Sequence, residues 1–247
     1  MTGVHFLDAQ GPTGMRIFAV GDIHGRLDLL EAMSQRIAEN LDADPPGDWR
    51  IVYLGDYCDR GPDTRGVIEH LLSQCGADAR VAALRGNHDQ GLLDFIGSGD
   101  AGLFVHHGGI DTAASYGVAA DFRSEAGLIK TRAALGAALP HSHLTFLSEL
   151  PYSASFGDFF FCHAGIRPGI SLDEQRPDDL IWIREPFLNN PHLHPKVVVH
   201  GHTPTAEPEI MPNRVGVDTG AYRSGVLTAL VIEGAEKRIL SVSGRLG

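Results

Sequence analysis

Cysteine is scarce in this chain: Cys58, Cys75 and Cys162 are the three in 247 residues, and no two share a C-x-x-C spacing. Three scattered thiols build neither a disulfide framework nor a thiolate zinc site, so packing in the interior is their expected role. No apolar run is long enough to span a bilayer. The opening stretch MTGVHFLDAQGPTGM has no basic segment leading into an apolar one, so no signal peptide is expected and a cytoplasmic location is the default. Basic charge is short as well, with 20 Lys and Arg against 31 Asp and Glu, a formal net charge of −11. A nucleic-acid backbone is held by clustered Lys and Arg, so nucleic acid is not an expected partner, and neither is a membrane. The chain also lacks solenoid-period repeats and low-complexity tracts. A phosphorylated substrate is not excluded by the acidic balance, because bound divalent ions reverse the local potential.

What is present is an ordinary soluble composition, 43% hydrophobic and 21% charged, in a length read as a single domain spanning 1–247. The stretch Gly55-Asp56-Tyr57-Cys58-Asp59-Arg60-Gly61 concentrates two carboxylates and a guanidinium in one turn. It follows the β-branched run 50–54, which places it at the carboxyl end of a buried strand, where ligands bind in open α/β sheets. The same plan occurs three times. Residues 15–20 read as a strand ending in GDIHG and followed by an amphipathic helix over 27–40. Residues 51–54 precede a helix over 64–74, and 80–84 lead into Arg85-Gly86-Asn87-His88-Asp89. Such units predict a sheet with helices packed on it.

From 97 to 140 the strand signal disappears, and helical stretches near 112–116 and 124–139 predict a helical insertion covering the cleft. A short helix is expected at 144–150 and strands at 151–156 and 159–162. The tail carries strand runs at 197–199, 215–218, 226–232 and 238–242, and the Pro and Gly between them predict antiparallel hairpins.

Each polar cluster ends a strand: Asp22 with His24, Asp56 with Asp59, Asn87 with His88, then His163 and His202. Loops at one sheet edge converge, so residues far apart in sequence can share one site. Carboxylate, imidazole and amide oxygen suit hard to borderline divalent ions, and Asp56 is the candidate bridge between two of them. A pair of ions roughly 3.5–4 Å apart clamps a phosphoryl group for in-line displacement.

In that order, GDIHG, GDYCDRG, LRGNHD, the His of FCHAG, and HGHTP resemble the motifs of the metallophosphoesterase (calcineurin-like) superfamily over about residues 15–220. The DRG and RGNH forms, with HGGIDTAASYG, HAGIRPG and Leu180-Ile181-Trp182-Ile183-Arg184, resemble its bacterial serine/threonine phosphoprotein phosphatase branch. The resemblance implies an α/β fold: a four-layer αββα sandwich of two mixed central sheets flanked by helices. It implies one metal on Asp22, His24 and Asp56, and a second on Asp56, Asn87, His163 and His202, with Mn²⁺ foremost and Fe, Zn or Mg as alternatives. His88 falls at the general acid, with Asp59 fixing its tautomer, while Arg60, Arg184 and Asn87 fall at the phosphate. The implied reaction is direct attack of a metal-bridging hydroxide on a phosphorylated protein or small phosphoester. Asp89 stands where protein phosphatases commonly have Glu and some dinucleoside polyphosphate hydrolases have Asp, so a diadenosine polyphosphate hydrolase is the alternative. A non-catalytic scaffold is disfavoured, since every implied ligand and His88 are present.

The remaining histidines have simpler readings. His141, His143, His192 and His194 sit beside Pro in apparent loops, and His106 and His107 could line the cleft. His200 is expected to stand behind His202 in a supporting position. Arg223 either reaches the phosphate or pairs with an acid.

Overall fold

Met15–Val20 is apolar at nearly every position because both of its faces are covered. Ile17 and Ala19 enter a core shared with Phe159, Phe161, Val197 and Val199. Phe18 and Val20 point the other way, into a core with Leu29, Leu30, Ile68 and Leu71. The computed structural model describes residues 3–244. Its first half runs β1 (Met15–Val20), α1 (Leu27–Ala43), β2 (Asp48–Tyr53), α2 (Thr64–Ala77), β3 (Val81–Ala83), α3 (Asn87–Gly97), α4 (Gly102–His106), α5 (Gly109–Ser115), α6 (Glu125–Ala138) and α7 (His141–Glu149). The second half runs β4 (Ser153–Phe156), β5 (Phe159–Cys162), α8 (Pro177–Trp182), α9 (Glu185–Leu188), β6 (Val197–His200), β7 (Glu209–Ile210), β8 (Arg214–Gly216), α10 (Ala221–Ser224), β9 (Val226–Glu233) and β10 (Glu236–Ser243).

The strands form two five-stranded sheets, ordered β10-β9-β1-β2-β3 and β4-β5-β6-β8-β7. They pack face to face, with the core of Ile17, Val52, Phe161, Val199 and Leu230 between them. α1, α2, α3 and α7 cover the outer face of the first sheet through Met33, Val67, Leu92 and Leu147. Leu180, Ile183 and Phe187 cover the outer face of the second, against Phe160 and Val198. The architecture is therefore the expected α/β sandwich of four layers, with both sheets mixed.

The expected hairpins in the tail are only partly correct. β9 and β10 do form one, but β8 lies parallel to β6, and β9 crosses to the first sheet beside β1. Pro and Gly punctuate a crossover as readily as a hairpin, and the valines of β6 are buried on both faces, as a parallel strand requires. The segment 97–140 also divides. α6 packs against α3, whereas residues 107–112 run past Asp59 and Arg60.

Candidate metal centre

Parallel strands leave their carboxyl ends at one edge, so the loops after β1, β2 and β3 meet those after β5 and β6. The first three loops bring Asp22, His24, Asp56, Asp59, Arg60, Asn87 and His88, and the other two bring His163 and His202. Every one of these except Arg60 is at least 94% buried. Among the described residues, the non-glycine positions with positive φ are His24 (45°), Asp56 (56°), Asp59 (71°), Arg60 (70°) and His202 (65°). Each is an expected site residue. A left-handed backbone costs a side-chain-bearing residue on the order of 1–3 kcal/mol, and such strain concentrates where geometry serves function.

Glycines make the close approach possible. A Cβ on Gly201 would fall 1.9 Å from Asp22 Oδ1, and one on Gly86 would fall 2.2 Å from the amide nitrogen and Oδ1 of Asp56. The N-terminus of α3 holds Asp56 in turn, its Oδ1 accepting the His88 backbone N–H at 2.9 Å. Asp89 serves the backbone. Its Oδ2 accepts from the amides of Asp56 and Gly86, both at 2.9 Å, and its Oδ1 from Tyr57 at 2.9 Å and Cys58 at 3.4 Å. The residue that distinguished two substrate classes in the sequence thus ties the loop after β2 to the start of α3.

Ring contacts fix the tautomers. His24 Nδ1 donates to the Cys58 carbonyl and His88 Nδ1 to Asp59 Oδ2, each at 2.7 Å. Both Nε2 atoms are left as acceptors, and the Arg60 guanidinium donates to them at 3.1 and 2.9 Å. Thr112 of α5 donates to the other Asp59 oxygen at 2.7 Å and accepts the Asp59 N–H at 2.9 Å. His163 Nδ1 donates to the Leu54 carbonyl at 3.0 Å, turning its Nε2 to Asn87 Oδ1 at 2.9 Å and Asp56 Oδ1 at 3.3 Å. His202 Nδ1 lies 2.7 Å from the same Asn87 oxygen, and its Nε2 is buried with no hydrogen-bond partner among the described residues.

This donor set fits divalent cations. One donor atom each from Asp56, His163 and His202 lies within 4.8 Å of the other two, and so it is for His24, Asp56 and His88. The field at the first cluster is strongly cation-seeking. Burial drives the His163 imidazole down, yet the charges of Asp56 and Asp22 outweigh it and raise the group to about 9. Burial and the His163 charge then push neighbouring His202 down to about 2, keeping a lone pair on its ring. A proton on His163 supplies the positive charge that a metal would supply.

Asp22 belongs to neither triad. Its carboxylate accepts the His202 backbone N–H at 3.1 and 3.2 Å, and burial, followed by the charge of Asp218, raises its pKa well above the usual range. His88, expected as a general acid, occupies the triad position instead, with its Nε2 4.0 Å from Asp56 Oδ2. Arg184 is exposed between α8 and α9 and donates to Thr203 Oγ1 at 3.1 Å and the His202 carbonyl at 3.3 Å. The two arginines therefore stand on opposite flanks, Arg60 by His24 and Arg184 by His202. His200 does not meet the His202 ring directly: its Nδ1 donates to the Gly201 carbonyl at 3.0 Å, its ring packs edge-on against Phe187 at 5.2 Å, and burial lowers it to about 4. His143 bonds Tyr116 and His194 stacks on Phe187, both as buried packing groups. His107 approaches His88 at 6.4 Å between ring centroids. Arg223 is exposed, but the adjacent Tyr222 lies over Arg60 at 4.8 Å and edge-on to His24 at 5.5 Å. Tyr222, in α10, was not singled out by the sequence reading, and Thr112 lies in the HGGIDTAASYG stretch without having been assigned a part at the centre.

The family model for calcineurin-like phosphoesterase matches residues 15–224. The chain belongs to that family. Among curated relatives, the bis(5'-nucleosyl)-tetraphosphatase PrpE (asymmetrical) of Bacillus thuringiensis strain Al Hakam is 25% identical over 235 residues, covering 87% of this chain and 90% of that protein. The protein of the same description from Oceanobacillus iheyensis is 26% identical over 251 residues, covering 94% and 93%. Among solved structures, a candidate diadenosine tetraphosphatase superposes with a TM-score of 0.67 at 24% identity, covering 97% of this chain and all of that one. A metallophosphoesterase from Sphaerobacter thermophilus superposes at 0.57 with 20% identity. Family membership makes this centre a place for a binuclear metal site, and the buried Asp and His triads are positioned for it.

Proposed function

We propose that the chain is a metal-dependent hydrolase of dinucleoside polyphosphates that uses water to cut one phosphoanhydride bond, dividing a dinucleoside tetraphosphate asymmetrically into a nucleoside triphosphate and a nucleoside monophosphate. This is the second of the two activities raised by the sequence. The observation that carries it is similarity along nearly the whole chain to relatives described as asymmetrical bis(5'-nucleosyl)-tetraphosphatases. In this reading Asp22, His24 and Asp56 hold one divalent ion, and Asp56, Asn87, His163 and His202 hold the other, Mn²⁺ foremost. When bound, such a pair lowers the pKa of water toward neutrality and offsets the charge of the phosphoryl oxygens.

The chain's own residues do the rest. Arg60 leaves the His24 and His88 rings to fork onto two phosphate oxygens, a task a planar guanidinium suits. Asn87 and Arg184 take further oxygens. His88, held by Asp59, takes up a proton at Nε2 once Arg60 has left it, so that both ring nitrogens carry one, and delivers the Nε2 proton to the leaving oxygen. A cytoplasmic location is part of this proposal; separately, no described helix is long and apolar enough to cross a membrane.

A phosphomonoester fits the same groups, so the test compares substrates. Protein of measured metal content should hydrolyse diadenosine tetraphosphate with a higher kcat/KM than a phosphoserine peptide, and chromatography should show ATP and AMP as products. A faster reaction on the peptide, with the dinucleotide untouched, would reverse the assignment in favour of a protein phosphatase.

A further inference from the structure

Beside the metal centre, on the Arg60 flank, a pocket of about 560 Å³ is walled by Leu27, Glu31, Arg60, Asp63, Asp111 and Tyr222. Its chemistry changes abruptly from that of the centre. Arg60 stands at the boundary, and beyond it the charged groups on the wall are mainly carboxylates. Two of these are engaged: Asp28 pairs with Arg26 at 2.7 Å, and Asp63 accepts the Gly66 N–H at 2.8 Å to cap α2. Glu31 and Asp111 make no side-chain hydrogen bond or ion pair to another described residue, and Glu31 is exposed. A phosphate chain is repelled by such a wall. An uncharged group rich in donors is not.

A nucleoside has that character and also the order of parts the site presents. Reading outward from the centre, phosphate meets Arg60, ribose hydroxyls meet carboxylate oxygens that accept from them, and a planar base meets an aromatic ring. The Tyr222 ring is already positioned for this by Arg60 at 4.8 Å and His24 at 5.5 Å. Leu27 adds an apolar patch to the same wall. We propose that this pocket seats one nucleoside of the dinucleoside polyphosphate, with Tyr222 as the surface against the base and Glu31 and Asp111 as acceptors for hydroxyl or amine donors. The assignment rests on the dinucleoside reading of the site and adds the residues that give it selectivity.

Steady-state kinetics of the metal-loaded protein on diadenosine tetraphosphate, p-nitrophenyl phosphate and a phosphoserine peptide flanked by lysines test it. The double variant Glu31→Ala/Asp111→Ala should lower the ratio of kcat/KM for the dinucleotide to that for p-nitrophenyl phosphate by about tenfold, through KM. Tyr222→Leu should lower the ratio by a similar factor, on the order expected for a lost base stack, and Tyr222→Phe should restore it. If the unmutated protein leaves diadenosine tetraphosphate intact, the proposed function fails and the pocket assignment falls with it. If it cuts the dinucleotide but the ratio is unmoved in every variant, the pocket assignment alone is overturned. A larger loss on the lysine-flanked peptide than on the dinucleotide would make the pocket a seat for basic peptide and overturn the nucleoside.

Discussion

His163 shows what the centre is built to hold. Its folded pKa of about 9 stands above the usual histidine value near 6.5, so the metal-free protein carries a proton there at neutral pH. Metal uptake should therefore release close to one proton from this ring at pH 7, and affinity should rise with pH by up to about tenfold per unit until roughly pH 9. Calorimetric titration in buffers of different ionisation enthalpy measures this directly, and proton-free uptake would contradict it. Because the folded value is raised, the stability this proton gives the metal-free fold is complete below about pH 6.5 and is lost as pH climbs through about 9. Asp89 permits a separate test. Replacing it with Asn puts an amide N–H₂ against backbone donors that now share two carboxylate oxygens. Asp89→Asn should cost on the order of 2 kcal/mol, or about 4–8 °C in Tm, by thermal denaturation. For His88, the leaving group decides the effect. A serine alkoxide needs a proton far more than a departing nucleotide phosphate does, so His88→Asn should lose roughly 10²–10⁴-fold in kcat/KM on a phosphoserine peptide and distinctly less on diadenosine tetraphosphate. Equal losses with metals retained would remove it from the acid role.

At the scale of elements, α5 reaches the centre through one hydroxyl. Thr112→Val keeps the shape but leaves Asp59 without its 2.7 Å donor beside His88, and should cost about 1–3 kcal/mol of stability along with activity; Thr112→Ser should recover both, read by denaturation and kcat/KM. The strand, turn and helix plan of residues 15–97 was legible because burial on both faces makes β1 and the second half of β2 apolar runs, and because α1 and α2 keep a clean apolar face in Leu29, Leu30, Met33, Val67 and Ile68. The convergence of the expected site residues was legible for a related reason: polar residues at strand ends meet wherever strands run parallel. What could not be read were relations that leave no local pattern. The parallel pairing of β6 with β8, the meeting of Tyr222 with Arg60, and the division of 97–140 between α5 at the centre and α6 against α3 each depend on long-range packing.

Over the whole molecule, the centre is assembled from both sheets. Asp22, His24, Asp56, Asn87 and His88 follow strands of one, and His163 and His202 follow strands of the other. A ligand that binds only the docked arrangement stabilises it by mass action, by about 2.7 kcal/mol at a hundredfold excess over Kd. Chelation should therefore lower the global Tm by roughly 5–11 °C, and adding back Mn²⁺ should restore it. An unchanged Tm with verified loss of metal would show that the ions do not join the sheets. The same division has a temporal side during synthesis. The residues that the first sheet brings to the centre lie by 88 and the last residue of the centre at 202, with more than a hundred residues translated between them. While those residues emerge, Asp56 has no His163 to answer its charge. The nascent chain passes through an interval in which its carboxylates are made and its centre is not. In the proposed assignment the ion on Asp22, His24 and Asp56 needs only early residues, whereas the one that also needs His163 and His202 is captured late and would report that the second sheet has arrived.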